Sequence, residues 1–162
     1  MPPLSRCDER AWPPHSIISD MKRRRFHQIV FAVAGAYNLA WGAYAAIDPQ
    51  WLFRFAEMPL SNHPEIFACL GMVVGIYGFL YWEVARKPEQ GFAIAAVGLL
   101  GKVLGPIGLA QLLWSGTWPV KSIVLCITND FIWWIPFAVY LRDAAFARDA
   151  SSSSETSPAA PA

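Results

Sequence analysis

Charged residues are scarce in this chain of 162 residues, and their scarcity excludes several classes of protein. Asp, Glu, Lys and Arg make up 15 % of the residues, whereas soluble domains carry about 25 %. The net charge is only +1, and the basic residues gather in short runs instead of covering one face, so no nucleic-acid partner is expected. The length leaves room for one compact domain.

The residue patterns of metal, haem and nucleotide sites are missing as well. The three cysteines form no Cys-x-x-Cys pair and show no metal-ligand spacing. The histidines stand at positions 15, 27 and 63, so no two would meet at one depth in a bundle to hold a haem. No glycine-rich phosphate loop or Gly-x-Ser-x-Gly motif occurs. We therefore expect no metal or haem.

Hydrophobic residues, in contrast, make up 55 % of the chain and gather in four long runs. About 20 apolar residues cross the ~30 Å hydrocarbon core of a bilayer as a helix. The runs predict spanning helices over residues 27–47, 65–82, 92–114 and 122–141. Residues 1–25 are expected to form a disordered basic arm and residues 143–162 a disordered tail. The sequence thus predicts an all-α fold, a four-helix bundle of residues 26–142 embedded in a lipid bilayer.

Lysines and arginines predict the orientation, because cytoplasmic loops carry an excess of them. Eight basic residues flank one side of the predicted bundle and two flank the other. The eight are Lys22, Arg23, Arg24, Arg25, Arg86, Lys87, Arg142 and Arg148, and the two are Arg54 and Lys121. Both termini are therefore expected in the cytoplasm.

The first run also allows an interpretation as a cleaved signal peptide, with Ala43-Tyr44-Ala45 as the cleavage site. Its length exceeds the usual apolar region of about 7–15 residues, and Asn38 interrupts it. These features favour a helix that is retained.

Two charges lie deep inside apolar runs. Lys102 stands in the third run, in the segment GLLGKVLGPIG (residues 98–108), and Asp130 stands in the fourth. A lone charge at the centre of a spanning helix costs about 2.5–3.5 kcal/mol. Their predicted depths differ by about 5 Å at 1.5 Å per residue, so an ion pair between them is expected. Pro106 should leave the carbonyl of Lys102 without its helical donor.

Other polar and aromatic residues fall near these charges in the predicted bundle, and together they form a candidate ligand-binding cluster. Its members are Asn38, Lys102, Thr128, Asn129, Asp130, Trp133 and Trp134. The second run is predicted to face the cluster with Glu65, Ala68, Met72, Gly75 and Phe79, and access is expected from the outer side, past Glu65 and His63. The Gly71-x-x-x-Gly75 pattern is of the type that brings helices close together, and it could also support a homodimer.

The segments GLLGKVLGPIG (98–108) and TNDFIWWIPF (128–137) resemble those of a group of small bacterial four-helix membrane proteins, broadly the DoxX-like family, over residues 26–142. The resemblance implies a multi-pass protein of the bacterial inner (plasma) membrane and a lipophilic redox partner such as a quinone. Relatives sometimes carry an alkyl hydroperoxide reductase label, but this chain lacks the pair of redox cysteines that such an activity needs.

Three hypotheses follow. The first is binding of a lipophilic small molecule, such as a quinone, in the buried polar cluster, as a subunit of a membrane redox system. The second is an enzyme that acts on a lipid or isoprenoid, with Asp130, Lys102 or Glu65 as candidate catalytic residues and Asp130 or Glu65 as the proton donor. The third is a structural membrane partner in which Lys102 and Asp130 form an ion pair without chemistry.

Overall fold

The computed structural model describes residues 23–155, and the ordered elements in that part of the chain are helices without any strand. The first three spans are the helices α1 (Arg24–Ile47), α3 (Pro64–Arg86) and α4 (Phe92–Trp114). A short helix, α2 (Trp51–Phe55), lies between α1 and α3 in the chain. The fourth span covers Val120–Asp149, and all four are long and apolar enough to cross a membrane. The predicted all-α membrane bundle is confirmed.

The fourth span consists of several pieces and is longer than predicted. Its elements are a 3₁₀ turn (Val120–Ser122), α5 (Ile123–Cys126), a π-helical turn (Ile127–Phe131) and α6 (Ile132–Glu155). The predicted tail of residues 143–162 therefore begins inside a helix. Packing explains the difference, since Asp143 and Ala144 are buried beyond the end of the apolar run. Residues 1–22 of the predicted arm and residues 156–162 lie outside the described part of the chain.

The outer surface of the bundle is apolar along its spans. Large side chains such as Ile29, Ile76, Ile107 and Ile135 are more than half exposed. A continuous apolar surface of this extent is not stable in water, but it matches the hydrocarbon of a bilayer. The chain is a multi-pass membrane protein.

Glycines bring α1 and α3 into close contact. A Cβ added to Gly42 would lie 2.5 Å from the carbonyl oxygen of Gly71 and 2.7 Å from the Cα of Gly75. Gly35 of α1 and Gly78 of α3 approach each other in the same way, since a Cβ added to either would lie 2.7 Å from the carbonyl oxygen of the other. The Gly71-x-x-x-Gly75 face is thus covered by α1 of the same chain, and it is not the open dimer surface that the sequence suggested.

Aromatic rings fill the core toward the end of the bundle where α1 begins. The ring of Phe31 lies 4.6 Å from that of Phe137 and 4.7 Å from that of Tyr140, measured between ring centres. The hydroxyl of Tyr140 donates a hydrogen bond of 2.5 Å to the carbonyl of Pro88. This core joins α1 and α6 to the loop between α3 and α4.

Charged groups close this end of the bundle, which we call the basic end. Asp143 in α6 accepts hydrogen bonds from the guanidinium of Arg23 at 2.9–3.0 Å, and His27 Nε2 lies 3.0 Å from its carboxylate. The hydrogen bonds to Asp143 raise the pKa of Arg23. Because Arg23 precedes the first span and Asp143 lies late in the fourth, the two ends of the bundle's chain meet on one side.

At the opposite end, α2 lies between the first two spans, with Leu52 buried and Arg54 paired with Asp48. Glu57 follows α2 with a φ of 57°, in the left-handed region that non-glycine residues seldom adopt. Its carboxylate accepts a hydrogen bond from Lys121 at the start of the fourth span, and this bond lowers the pKa of Glu57. The contacts of α2 and of Glu57 tie the loop after Asp48 to the bundle.

Candidate functional site

A proline in α4 frees a backbone acceptor next to the buried lysine. Pro106 has no N–H, so the carbonyl of Lys102, four residues earlier, has no donor within the helix. Trp134 of α6 supplies the missing donor, because its Nε1 donates to that carbonyl oxygen over 2.9 Å. The sequence predicted the free carbonyl, and the structure identifies its partner.

The ammonium of Lys102 is held by the fourth span. The side chain is 5 % exposed, and its Nζ donates to the backbone carbonyl of Asn129 over 2.6 Å. The same atom lies 6.0 Å from the ring centre of Tyr81 and 5.8 Å from that of Trp133, distances at which ring faces attract a cation. An ammonium has three N–H donors, and the bond to Asn129 uses one.

The partner of Lys102 depends on the π-helical turn. Asn129 lies in the middle of that turn, where the regular i to i+4 hydrogen-bond ladder is interrupted and a backbone carbonyl can accept from a side chain. Such turns occur often at functional sites. The turn thus explains how an apolar helix offers an acceptor to a buried cation.

Asp130 is buried to the same degree, 5 % exposed, but it does not contact Lys102 directly. Its Oδ1 accepts a hydrogen bond of 3.0 Å from Asn129 Nδ2. Its Oδ2 faces Gly105, where an added Cβ would lie 3.2 Å away. The predicted direct Lys102–Asp130 ion pair is therefore wrong: within the described residues, no nitrogen–oxygen distance between these two side chains is 4.0 Å or less. Each side chain instead makes a hydrogen bond with Asn129, Lys102 with its carbonyl and Asp130 with its amide nitrogen.

Both charged side chains instead line one cavity of about 190 Å³ between the helices, which we call the polar cavity. A liquid water occupies about 30 Å³, so the cavity has room for about six. Its polar walls are Asn38, Tyr77, Tyr81, Lys102, Asn129 and Asp130. Its apolar walls are Val74, Val97, Gly98 and Gly101. The residues that line it come from α1, α3, α4 and the π-helical turn of the fourth span.

Two amide oxygens near the polar cavity have no partner among the described residues. Asn38 is 3 % exposed, its Nδ2 donates a long hydrogen bond of 3.4 Å to the carbonyl of Val74, and its Oδ1 accepts none. The Oδ1 of Asn129 is also buried without a donor. An unsatisfied buried polar group costs about 1–3 kcal/mol. The cavity therefore offers acceptors, beside the unused donors of Lys102, to a polar guest.

The glycines of α4 shape the polar cavity. A Cβ added to Gly98 would lie 2.5 Å from the hydroxyl of Tyr81, so only glycine lets this ring reach the wall. At Gly101 an added Cβ would meet nothing within 4 Å. The first glycine makes room for a side chain, and the second leaves open space.

The structure brings together four of the seven residues predicted for the ligand site, namely Asn38, Lys102, Asn129 and Asp130. Trp133 and Trp134 support Lys102 from outside the cavity, through the ring contact and the hydrogen bond described above. Thr128 is exposed on the bundle surface, and its hydroxyl donates to the carbonyl of Val124 over 3.0 Å.

Glu65, a candidate catalytic residue, lies apart from the polar cavity. It is exposed in the first turn of α3 and pairs with His63, with 3.1 Å between His63 Nδ1 and Glu65 Oε1. Neither residue lines the cavity. The sequence predicted that a ligand would reach the polar cluster past Glu65 and His63, but the structure does not place these residues at the cavity.

Sequence reasoning missed the tyrosines of α3. The buried face of α3 is Gly71, Gly75, Gly78, Tyr81 and Val84, whereas Met72 and Phe79, predicted to face the cluster, are exposed to the surroundings. The usable signal was the spacing of Val74, Tyr77 and Tyr81 at three and four residues, which places them on one helix face.

Within the described residues, no three His, Cys, Asp or Glu side chains lie together as a metal site would require. Cys69 is an exposed free thiol and Cys126 a buried one. Comparison of the chain with protein-family models, with curated proteins and with solved structures finds no match in any of the three.

Proposed function

We propose that this chain is a DoxX-like protein of the bacterial inner membrane whose polar cavity binds the polar group of a lipophilic small molecule, such as a quinone, within a membrane redox system. Two observations at one cavity carry the proposal: among the described residues, the buried ammonium of Lys102 makes one hydrogen bond, and the buried Oδ1 of Asn38 accepts none. Charged groups inside a membrane usually mark functional sites.

The chemistry of the cavity suits a group that both accepts and donates hydrogen bonds. The ammonium of Lys102 can donate to a ligand carbonyl, and the free Oδ1 of Asn38 can accept from a ligand hydroxyl. A quinone carries carbonyls in its oxidised form and hydroxyls in its reduced form, so one site serves both. At about 190 Å³ the cavity is smaller than the usual ~300–1,000 Å³ of small-molecule pockets, and it therefore suits a head group alone.

The enzyme hypothesis has weaker support. Asp130 lines the cavity, but Glu65 does not: it is exposed in the first turn of α3, at the end of the bundle away from the basic end. The structural hypothesis accounts for the hydrogen bond between Lys102 and Asn129, but it does not explain why the Oδ1 of Asn38 is buried without a donor among the described residues.

The test compares the molecules that co-purify with the wild type, with Asn38→Leu and with Thr128→Val. Asn38→Leu removes the unpaired acceptor without stranding a charge, and Thr128→Val is the matched polar-to-apolar control outside the cavity. We expect mass spectrometry of extracts from the detergent-solubilised proteins to find a stoichiometric lipophilic molecule in the wild type and in Thr128→Val. We expect at least about a tenfold loss of it in Asn38→Leu, which corresponds to one lost hydrogen bond to a buried group.

Thermal unfolding of all three proteins serves as the folding control. If the folded wild type and both variants carry the same bulk lipid and nothing in stoichiometric amount, the binding proposal is wrong and the polar cluster is structural.

A further inference from the structure

A second cavity adjoins the polar cavity along the line between α3 and α4. It has a volume of about 260 Å³ and is lined by Tyr77, Leu80, Ala93, Ile94 and Val97; we call it the α3–α4 groove. Two of these residues, Tyr77 and Val97, also line the polar cavity. Apart from the tyrosine hydroxyl, the lining is apolar, so the groove suits hydrocarbon.

The same line continues to the basic end. A third cavity of about 150 Å³ shares Ile94 with the α3–α4 groove and reaches Lys87 and Gln90 in the loop. From Gly101 to Phe92, where α4 begins, the distance along the helix is about 14 Å at 1.5 Å per residue. Val97, at the junction of the first two cavities, is 52 % exposed. The junction of the polar cavity and the α3–α4 groove therefore lies at the apolar outer surface of the bundle.

The charges of the polar cavity restrict the head group. One cation, Lys102, and one anion, Asp130, line it, so the walls are neutral in sum. An anionic head group would approach the carboxylate of Asp130, and a cationic one the ammonium of Lys102, and either like-charge contact is unfavourable at low dielectric. An uncharged polar group avoids both.

We propose that the polar cavity opens sideways into the bilayer between α3 and α4, and that the α3–α4 groove holds the apolar chain of the molecule whose uncharged head group lies in the polar cavity. The ligand class is thus an uncharged amphiphile with a long apolar chain that enters from the membrane. This inference rests on the proposed function, and it adds the entry side and the chemical class.

The first experiment measures apparent Kd values in lipid nanodiscs, with ligand concentrations expressed per volume of membrane. The probes are a benzoquinone with a decyl chain, the same ring without the chain, and decanoate as the charged counterpart. Ala93→Phe fills the α3–α4 groove, and Ala110→Phe is the matched control, an exposed alanine of the same helix outside the cavities described here.

We expect Ala93→Phe to weaken binding of the decyl quinone by about tenfold, a change of about 1.4 kcal/mol, and to leave binding of the chainless ring unchanged. Ala110→Phe should alter neither, and decanoate should not compete with either quinone. Equal affinities of Ala93→Phe and wild type for the decyl quinone would overturn the groove while the proposed function survives. Competition by decanoate would overturn the uncharged head group, and failure of the wild type to bind either ring would overturn both proposals.

A second pair of variants tests the sideways opening without relying on Ala93. Gly101→Leu and Gly108→Leu introduce the same side chain at glycines of one helix where an added Cβ meets nothing within 4 Å, and only Gly101 lines the polar cavity. We expect Gly101→Leu to weaken binding of both quinones at least about tenfold, with Gly108→Leu at the wild-type value. Unchanged binding in Gly101→Leu would show that ligands reach the cavity by another route.

Discussion

Pro106 and Trp134 form one unit although they lie in different spans. The proline leaves the carbonyl of Lys102 without a helical donor, and the indole N–H of Trp134 donates to it. In the hydrocarbon core of a bilayer no water is present to donate a hydrogen bond to an unsatisfied carbonyl. The tryptophan therefore compensates, from α6, for a hydrogen bond that α4 cannot make.

A double-mutant cycle tests this coupling. We expect Trp134→Phe to lower the free energy of unfolding by about 1–3 kcal/mol, because the carbonyl of Lys102 loses its donor. In a Pro106→Ala background the restored backbone N–H supplies a donor, and the same substitution should cost less. Chemical unfolding in detergent, followed by circular dichroism, gives the four values. Equal costs in both backgrounds would show that Trp134 contributes only packing.

At the scale of whole helices, the crossing of α1 and α3 depends on which glycine is substituted. A methyl group on Gly42 would overlap the backbone of Gly71 and Gly75, whereas a methyl group on Gly75 would meet only the Cα of Gly42, at 3.7 Å. We expect Gly42→Ala to destabilise the protein by about 1–3 kcal/mol, the usual cost of overpacking.

Gly75→Ala is the control on the facing helix. Its contact is ordinary, and alanine favours a helix over glycine by about 1 kcal/mol, so we expect unchanged or slightly raised stability. Thermal unfolding in one detergent compares the two variants with the wild type. Equal losses in both would mean that the helices cross at another point.

The apolar runs predicted the spans well because a helix in lipid must satisfy its backbone internally and needs a fixed length. The inward face of each span was harder to predict. Asn38 identified that of α1, since a polar side chain avoids hydrocarbon. In α3, however, lipid and core both accept apolar side chains, so hydropathy could not separate the exposed Phe79 from the buried Tyr81.

The fourth span shows a second limit of sequence reasoning. Asp130 lies inside an apolar run and was recognised as part of a buried cluster, but the π-helical turn that places the Asn129 carbonyl at Lys102 has no sequence periodicity of its own. The continuation of α6 past residue 141 brings Asp143 into contact with Arg23, 120 positions earlier in the chain. Such contacts arise from the assembled bundle.

At the scale of the whole molecule, polar contacts fix both ends of the bundle, and apolar surface lies between them. Arg23 and Asp143 pair at the basic end, and Glu57 and Lys121 pair at the opposite end. The four spans thus have a defined set of loops on each side, and the excess of lysine and arginine at the basic end predicts that this end faces the cytoplasm.

Labelling of single cysteines tests that orientation. In a background without the native cysteines, Asn62→Cys introduces an exposed thiol at the opposite end and Gln90→Cys one at the basic end. We expect a membrane-impermeant maleimide added to intact cells to label Asn62→Cys, because that loop should face outward. Gln90→Cys should be labelled only after permeabilisation, which also shows that its thiol is reactive. The reverse pattern would invert the bundle and would place the row of cavities between α3 and α4 at the outer leaflet, since that row follows the polar cavity toward the basic end.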